Sequence, residues 1–329
     1  METPRPNRRT VAAGLAAALA TLPALAPLPG LAQDFPSRPV TIVVPYGPGS
    51  YTDLVLRPFA PVLQKLLGQP VVIDNKAGGN GVIGSQFVAR ARPDGYTLLA
   101  GSSTTLAANA GLFRALPYDP LKDFQPVAGL ASTSMMFLVR ADAPARDLKS
   151  FLAHAARQPQ PLAVGYGSSS AQVALAQLAK ASGVRFTPVP YKATPQAMTD
   201  LIGGQVPAAI SDVSNGVPHV RAGKLAALAI SAGKRSLAAP EVPTLDEAFP
   251  GTQLVTWIGL VAPAGTPPAV VERIGQAVTA ALASPELRQQ MAALSTDLEP
   301  MSATEMGRRM QQDHAQWLDL IRAAGIQPE

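Results

Sequence analysis

Val40-Thr41-Ile42-Val43-Val44-Pro45-Tyr46-Gly47-Pro48-Gly49-Ser50 decides the fold. The β-branched run Val40 to Pro45 reads as a buried strand, and the Gly/Pro/Ser loop closes it. Beyond the loop, Val55, Phe59, Val62 and Leu66 recur at i, i+4, i+7 and i+11, the spacing of one helix face. The unit is strand, tight turn, helix. Pro58 and Pro61 fall inside the helical pattern and each removes a backbone hydrogen bond, so a kink or a delayed helix start is expected.

The unit then repeats along the chain. Val71 to Asp74 is a strand, Ile83 to Arg92 a short helix, and Tyr96 to Ala100 a strand running into Gly101-Ser102-Ser103-Thr104-Thr105. A second series begins near Met135 to Arg140. It continues through helix Leu148 to Arg157, strand Leu162 to Gly165, loop Tyr166 to Ser170 and helix Val173 to Ala181. Strand Phe186 to Val189, helix Gln196 to Gly203, strand Ala208 to Ile210, Ser211-Asp212, a helix near Pro218 to Ala222 and strand Ala226 to Ser231 complete it. Alternation of strand and helix predicts parallel α/β sheets. After Trp257 to Ala262 the pattern turns wholly helical: Pro267 to Ala283, Pro285 to Leu294 with Ser284 as N-cap, and a last helix whose Ser302 and Glu305 form a capping box. Three helices without strands of their own are expected to pack back on the first unit.

The N-terminus reads as an export signal. Arg5, Arg8 and Arg9 make a basic start, Val11 to Leu28 an Ala/Leu-rich stretch, and Gly30-Leu31-Ala32 a small-residue cleavage site. Residues 1–32 are therefore expected to be removed, and the route, general secretory or twin-arginine, stays open. Loss of Arg5, Arg8, Arg9 and Glu2 takes the formal charge from +5 to +3. That is too mild for nucleic acid. The chain has no cysteine, which excludes a disulfide framework and thiol chemistry. The only histidines, His154, His219 and His314, lack partners at metal-ligand spacing, so no metal is expected.

Gly79-Asn80-Gly81-Val82-Ile83-Gly84 matches G-x-G-x-x-G, but the following strand ends in Gly101-Ser102 where a ribose-binding acid would be needed. A glycine-rich loop folded over the domain edge is the better reading, and no cofactor is expected. The hydroxyl-rich loops at Ser50 and Thr52, Ser102 to Thr105 and Ser168 to Ser170 lack a G-x-S-x-G elbow, leaving a secreted serine hydrolase as the minor hypothesis. Each loop follows a strand and precedes a helix, where the sheet's carboxyl edge and the helix N–H groups offer neutral donors to an anion. A small carboxylate held between two facing domains fits this best, against the alternative that Ser and Thr only cap helices.

The chain resembles the substrate-binding proteins of tripartite tricarboxylate transporters, the Bug receptors. The likeness is carried by Phe35 to Pro39, Val44 to Gly49 with Thr52-Asp53, Asn75 to Gly84, Pro93 to Leu99, Leu116 to Pro120 with Lys122 to Phe124, and Val189 to Lys192. Gly203 to Val206, Ala222 to Leu225, Lys234 to Ser236 and Ala262 to Pro267 extend it along nearly the whole mature chain. The resemblance implies a periplasmic binding protein type II fold: two α/β lobes with a ligand cleft between them and C-terminal helices on the first lobe. It sets lobe 1 at 33–136 and 257–329 and lobe 2 at 137–256. It implies a periplasmic, monomeric receptor, without catalysis or cofactor, that closes on a small organic anion and delivers it to membrane permease subunits. A receptor that signals to a sensor kinase is the alternative within the binding class.

The implied ligand-facing residues are the Pro45 to Ser50 loop with Tyr46, Gly47, Gly49 and Ser50, then Thr52 and Asp53, Ser102, Ser103 and Thr104, Gly167, Ser168, Ser169 and Ser170, Tyr191, and Asp212. Asp212 reads equally well as the N-cap of the next helix. Ser50 stands where the family loop carries a second glycine, and its Cβ resists positive φ. Tyr51 follows it, and Ala171-Gln172 replaces a family histidine. These departures predict a reshaped loop and a ligand unlike an ordinary C4 to C6 dicarboxylate.

Overall fold

The computed structural model describes residues 35–328, so the export signal expected at 1–32 lies outside the described residues. From Arg38 onward the chain forms one compact unit. β1 (Val40–Val44) is buried at four of its five positions, as a β-branched run of low polarity requires. α1 (Tyr51–Leu67) follows directly. The delayed start expected from Pro58 and Pro61 does not occur. The carbonyls those prolines leave unpaired belong to Leu54 and Arg57, on the half-exposed and exposed side of the helix. The opposite face buries Val55, Leu56, Phe59 and Leu63, each contributing about 1.5–3 kcal/mol, which outweighs the lost bonds.

β2 (Val71–Asn75) and β3 (Thr97–Ser102) flank β1 in parallel, with α2 (Val82–Ala89) between them in sequence. The G-x-G-x-x-G stretch is a packed edge loop. A Cβ on Gly84 would lie 2.8 Å from Pro45 Cα and 2.9 Å from the Lys76 carbonyl, so the last glycine serves close packing of α2 on the β1–α1 loop. A π-helical turn (Thr104–Ala108) and the short α3 (Asn109–Leu112) follow β3.

β4 (Phe124–Arg140) is a 17-residue strand and the spine of the molecule. It begins eleven residues before the expected Met135, and its two halves serve different neighbours. Phe124 to Ser134 pair antiparallel with β9 (Val255–Pro263), which itself pairs with β3. After α4 (Leu148–Ala156) come β5 (Leu162–Tyr166), α5 (Ser169–Ser182), β6 (Phe186–Pro190), α6 (Thr194–Ile202), β7 (Ala208–Asp212), α7 (Val213–Arg221) and β8 (Leu225–Ile230). β5 lies between β6 and β7, all parallel, and Met135 to Arg140 of β4 pair antiparallel with β7 and β8. The chain thus passes along β4 from the first sheet to the second and, after α8 (Leu245–Ala248), returns by β9.

The C-terminal part is not wholly helical. Between α9 (Pro268–Ala283) with α10 (Pro285–Ala293) and α11 (Ala303–Ala323) lies β10 (Asp297–Met301), antiparallel to β4. Asp-Leu-Glu-Pro-Met has no apolar run, and its half-exposed edge position is where a strand tolerates charge and proline. α9 and α10 pack on α1 in the first half, as expected. α11 does more: Trp317 and Ile321 enter a cluster with Phe137, Val139 and Leu175 of the second half, and Lys180 Nζ donates to the Ala323 carbonyl at 2.8 Å. Among the described residues no helix is long and apolar enough to cross a membrane.

Candidate functional site

The β1–α1 loop delivers the first wall of a cleft between the two sheets. Gly49 takes the positive φ of this loop (77°), while Ser50 is extended (φ −64°, ψ 158°) and caps α1. The strain expected from a Cβ at position 50 is therefore absent, and the loop is not forced open. Tyr46 lines the cleft and its hydroxyl lies 2.8 Å from Ser102 Oγ. Tyr51, flagged only for its bulk, lines it too, donating its hydroxyl to the Ser132 carbonyl at 2.7 Å.

The second wall comes from the β5–α5 and β6–α6 loops and the end of β7. Ser168 caps α5, accepting from Ala171 N at 3.3 Å. Gly167 packs on the neighbouring loop so closely that a Cβ would sit 2.2 Å from Thr194 N. Thr104 Oγ1 and Ser170 Oγ meet at 3.1 Å, a hydrogen bond from one wall to the other. The N-termini of α1, α5, α6 and α7 all reach this cleft through Ser50 to Thr52, Ser168 with Ser170, Thr194 and Asp212. Their free N–H groups carry partial positive charge, so the cleft favours anions without a buried cation.

Nine of the sequence-selected residues line the cleft: Tyr46, Ser50, Thr52, Ser102, Thr104, Gly167, Ser168, Ser170 and Asp212. The structure does not bring the other six to its wall. The Gly49 amide and Asp53 bind each other at 2.9 Å, and Asp53 also accepts from Asn75 Nδ2 and Arg57 Nε. Burial would raise this carboxyl, but Arg57, the Gly49 amide and Asn75 outweigh it and hold it below its ordinary value. Asp53 is thus the clamp of the β1–α1 loop. Gly47 sits near Ala193, and Ser103 Oγ accepts from Trp257 N at 2.9 Å. Ser169 is fully buried with its hydroxyl unpaired among the described residues, and Tyr191 donates to Asp200 Oδ2 at 2.8 Å.

Asp212 occupies the N-cap position of α7, yet its side chain makes no capping bond. It turns to the cleft and accepts from Asn215 Nδ2 at 3.4 Å and from its own backbone amide, and burial outweighs both and pushes it up to about 6. The plain capping reading of this residue does not hold for its side chain. Burial also raises the phenols of Tyr46 and Tyr51, which stay neutral donors.

Lys192, Ala193, Thr194, Thr256, Trp257 and Ile258 line the cleft without having been singled out. The first three form another strand-to-helix loop, so the rule that found Ser168 to Ser170 reaches them as well. The other three come from β9, whose antiparallel insertion between β3 and β4 leaves no periodic signal. Trp257 is anchored from behind, its Nε1 donating to Asp313 Oδ2 at 2.5 Å, and Asp313 also accepts from Arg309 at 2.9 Å.

Two α/β lobes sharing a through-strand and facing a polar cleft define a periplasmic-binding-protein fold. The family follows from comparison: residues 55–326 match the model of the tripartite tricarboxylate transporter family receptor, and the chain belongs to this family. Protein BugT of Bordetella pertussis is 33% identical over 303 residues, 90% of this chain and 92% of that one. The structure of MatC from Rhodopseudomonas palustris with bound malate superposes with a TM-score of 0.82 at 35% identity, covering 87% of this chain and all (100%) of that one. Rpa4515 of R. palustris with adipate gives 0.86 at 31% identity, with 90% and 100% covered. The family is one of solute-binding receptors, not enzymes, which overturns the hydrolase alternative.

Proposed function

We propose that this protein is an exported receptor that captures a small organic carboxylate in the cleft by hinge closure and presents it to the membrane permease of a tripartite transporter. The observation that carries the reading is the convergence of four helix N-termini and the hydroxyls of Ser50, Thr52, Ser102, Thr104, Ser168 and Ser170 on one cleft. Such an array holds a carboxylate by neutral donors. Relatives with malate and adipate bound support that ligand class. With Ser50 unstrained, the case for a departure from dicarboxylates falls away at that position. The division into lobe 1 (33–136 and 257–329) and lobe 2 (137–256) is supported by the change of β4's partners at Ser134 and Met135. Export to the periplasm rests on the signal read at 1–32 and on the family, and a freely diffusing monomer suits delivery.

A thermal-shift screen against mono-, di- and tricarboxylates, acidic amino acids, aromatic acids and neutral amides tests the reading. A true ligand at ~100 times its dissociation constant adds roughly 2.7 kcal/mol of stability. Shifts confined to carboxylates are the expected result, and none from any carboxylate would sink the proposal.

A further inference from the structure

Among the described residues lining the cleft, Asp212 is the only acid. It is 7% exposed, forms no ion pair, and its one side-chain partner is the neutral Asn215 at 3.4 Å. Among the described residues no cationic side chain pairs with it. Tyr46 and Tyr51 face it from the first lobe as neutral phenols, and their own shifts register its charge. Its register partner on β4 is the apolar Met135. Among the described residues lining the cleft, Lys192 is the only cation and is exposed, and beyond Tyr51 stand two further acids, Asp297 and Glu299.

A dicarboxylate seated here places an anion in the same small cleft as a buried, uncompensated carboxylate. Two carboxylates sharing such a site cannot both stay ionised, and they titrate as a pair. We infer that the cleft binds a dicarboxylate together with one proton, held between Asp212 and the ligand. This deepens the carboxylate-receptor reading and rests on it. The balance is simple: ligand dianion, Asp212 carboxylate and one proton from the buffer give the closed complex, and release of ligand returns the proton to solvent. Burial already pushes Asp212 up to about 6, so binding takes up a full proton only above that range. Affinity for a dianion should then fall about tenfold per pH unit, the slope of one linked proton.

Isothermal titration of the purified protein with malate and with adipate, in two buffers of different ionisation enthalpy, counts the protons directly. Uptake should be about one proton near pH 7.5 and much smaller near pH 5. Asp212→Asn should abolish the uptake and flatten the affinity between those values. The wild-type buffer comparison decides alone if that variant folds poorly. Binding with no uptake and a flat pH profile overturns this inference and leaves the receptor reading intact. No heat from either dicarboxylate at any pH overturns it too, and the wider carboxylate screen then judges the receptor reading separately.

Discussion

Asp53 and Ser50 show how the β1–α1 loop is set residue by residue. The Asp53 carboxylate gathers the Gly49 amide, Asn75 and Arg57, so Asp53→Ala leaves three donors without an acceptor and should cost about 2–3 kcal/mol in urea denaturation at neutral pH. Its folded value is depressed below the ordinary 3.8. The stabilisation is therefore present above that value and is lost as pH falls through the depressed one. The gap between wild type and variant should narrow on acidification through that depressed value, and a gap constant with pH would refute the ionic account. At Ser50, the hydroxyl caps α1 from an ordinary φ of −64°. Ser50→Ala should cost about 1 kcal/mol and Ser50→Gly a few tenths, by the same measurement. The residue types of this loop were legible in sequence. Which of Gly49 and Ser50 takes the left-handed conformation was not, because that follows from where Asp53 holds the Gly49 amide.

Elements with a strong apolar period were readable, and those defined by a partner were not. β1, α1 and β5 carry their own pattern, whereas the first half of β4 contains Pro126, Gly129 and Ser132 and is a strand only because β9 and β10 pair with it. β10 is held by β4 and by Arg309, which bonds Glu299 at 3.4 Å while also gripping Asp313. Arg309 therefore ties α11 to β10, and Asp313 ties it to Trp257 in the cleft wall. Asp313→Ala leaves a buried indole N–H unpaired and takes from Arg309 the nearer of its two carboxylates, and a loss of about 1–3 kcal/mol in unfolding free energy is expected. Gly84 makes the corresponding test for α2. An added methyl meets backbone at Pro45 and Lys76, so Gly84→Ala should destabilise by about 1–3 kcal/mol, and a neutral result would show that α2 shifts freely.

Two α/β units, with the terminal helices returning to the first, were legible in strand–helix alternation, and the family likeness added the ligand cleft between them. Strand–helix alternation predicts parallel α/β sheets but does not say that one strand, β4, runs through both or that β9 brings the chain back antiparallel. Under the proposed hinge closure, that through-strand sets the motion about the Ser134–Met135 region, where β4 changes partners. The Thr104–Ser170 hydrogen bond spans the cleft at 3.1 Å. On the proposed hinge closure it belongs to the closed arrangement, and its removal should shift the equilibrium toward an open one. Both residues also line the cleft, so a single substitution mixes lost ligand contact with lost closure. A double-mutant cycle with Thr104→Val and Ser170→Ala separates them, because only the mutual bond appears in the coupling term. A coupling of about 0.5–1.5 kcal/mol in the binding free energy is expected, the net value of one hydrogen bond. Small-angle scattering supplies the second readout: ligand should reduce the radius of gyration of the wild type at concentrations where the double variant remains extended. Strict additivity of the two substitutions, with identical scattering curves, would mean that closure depends on the ligand alone.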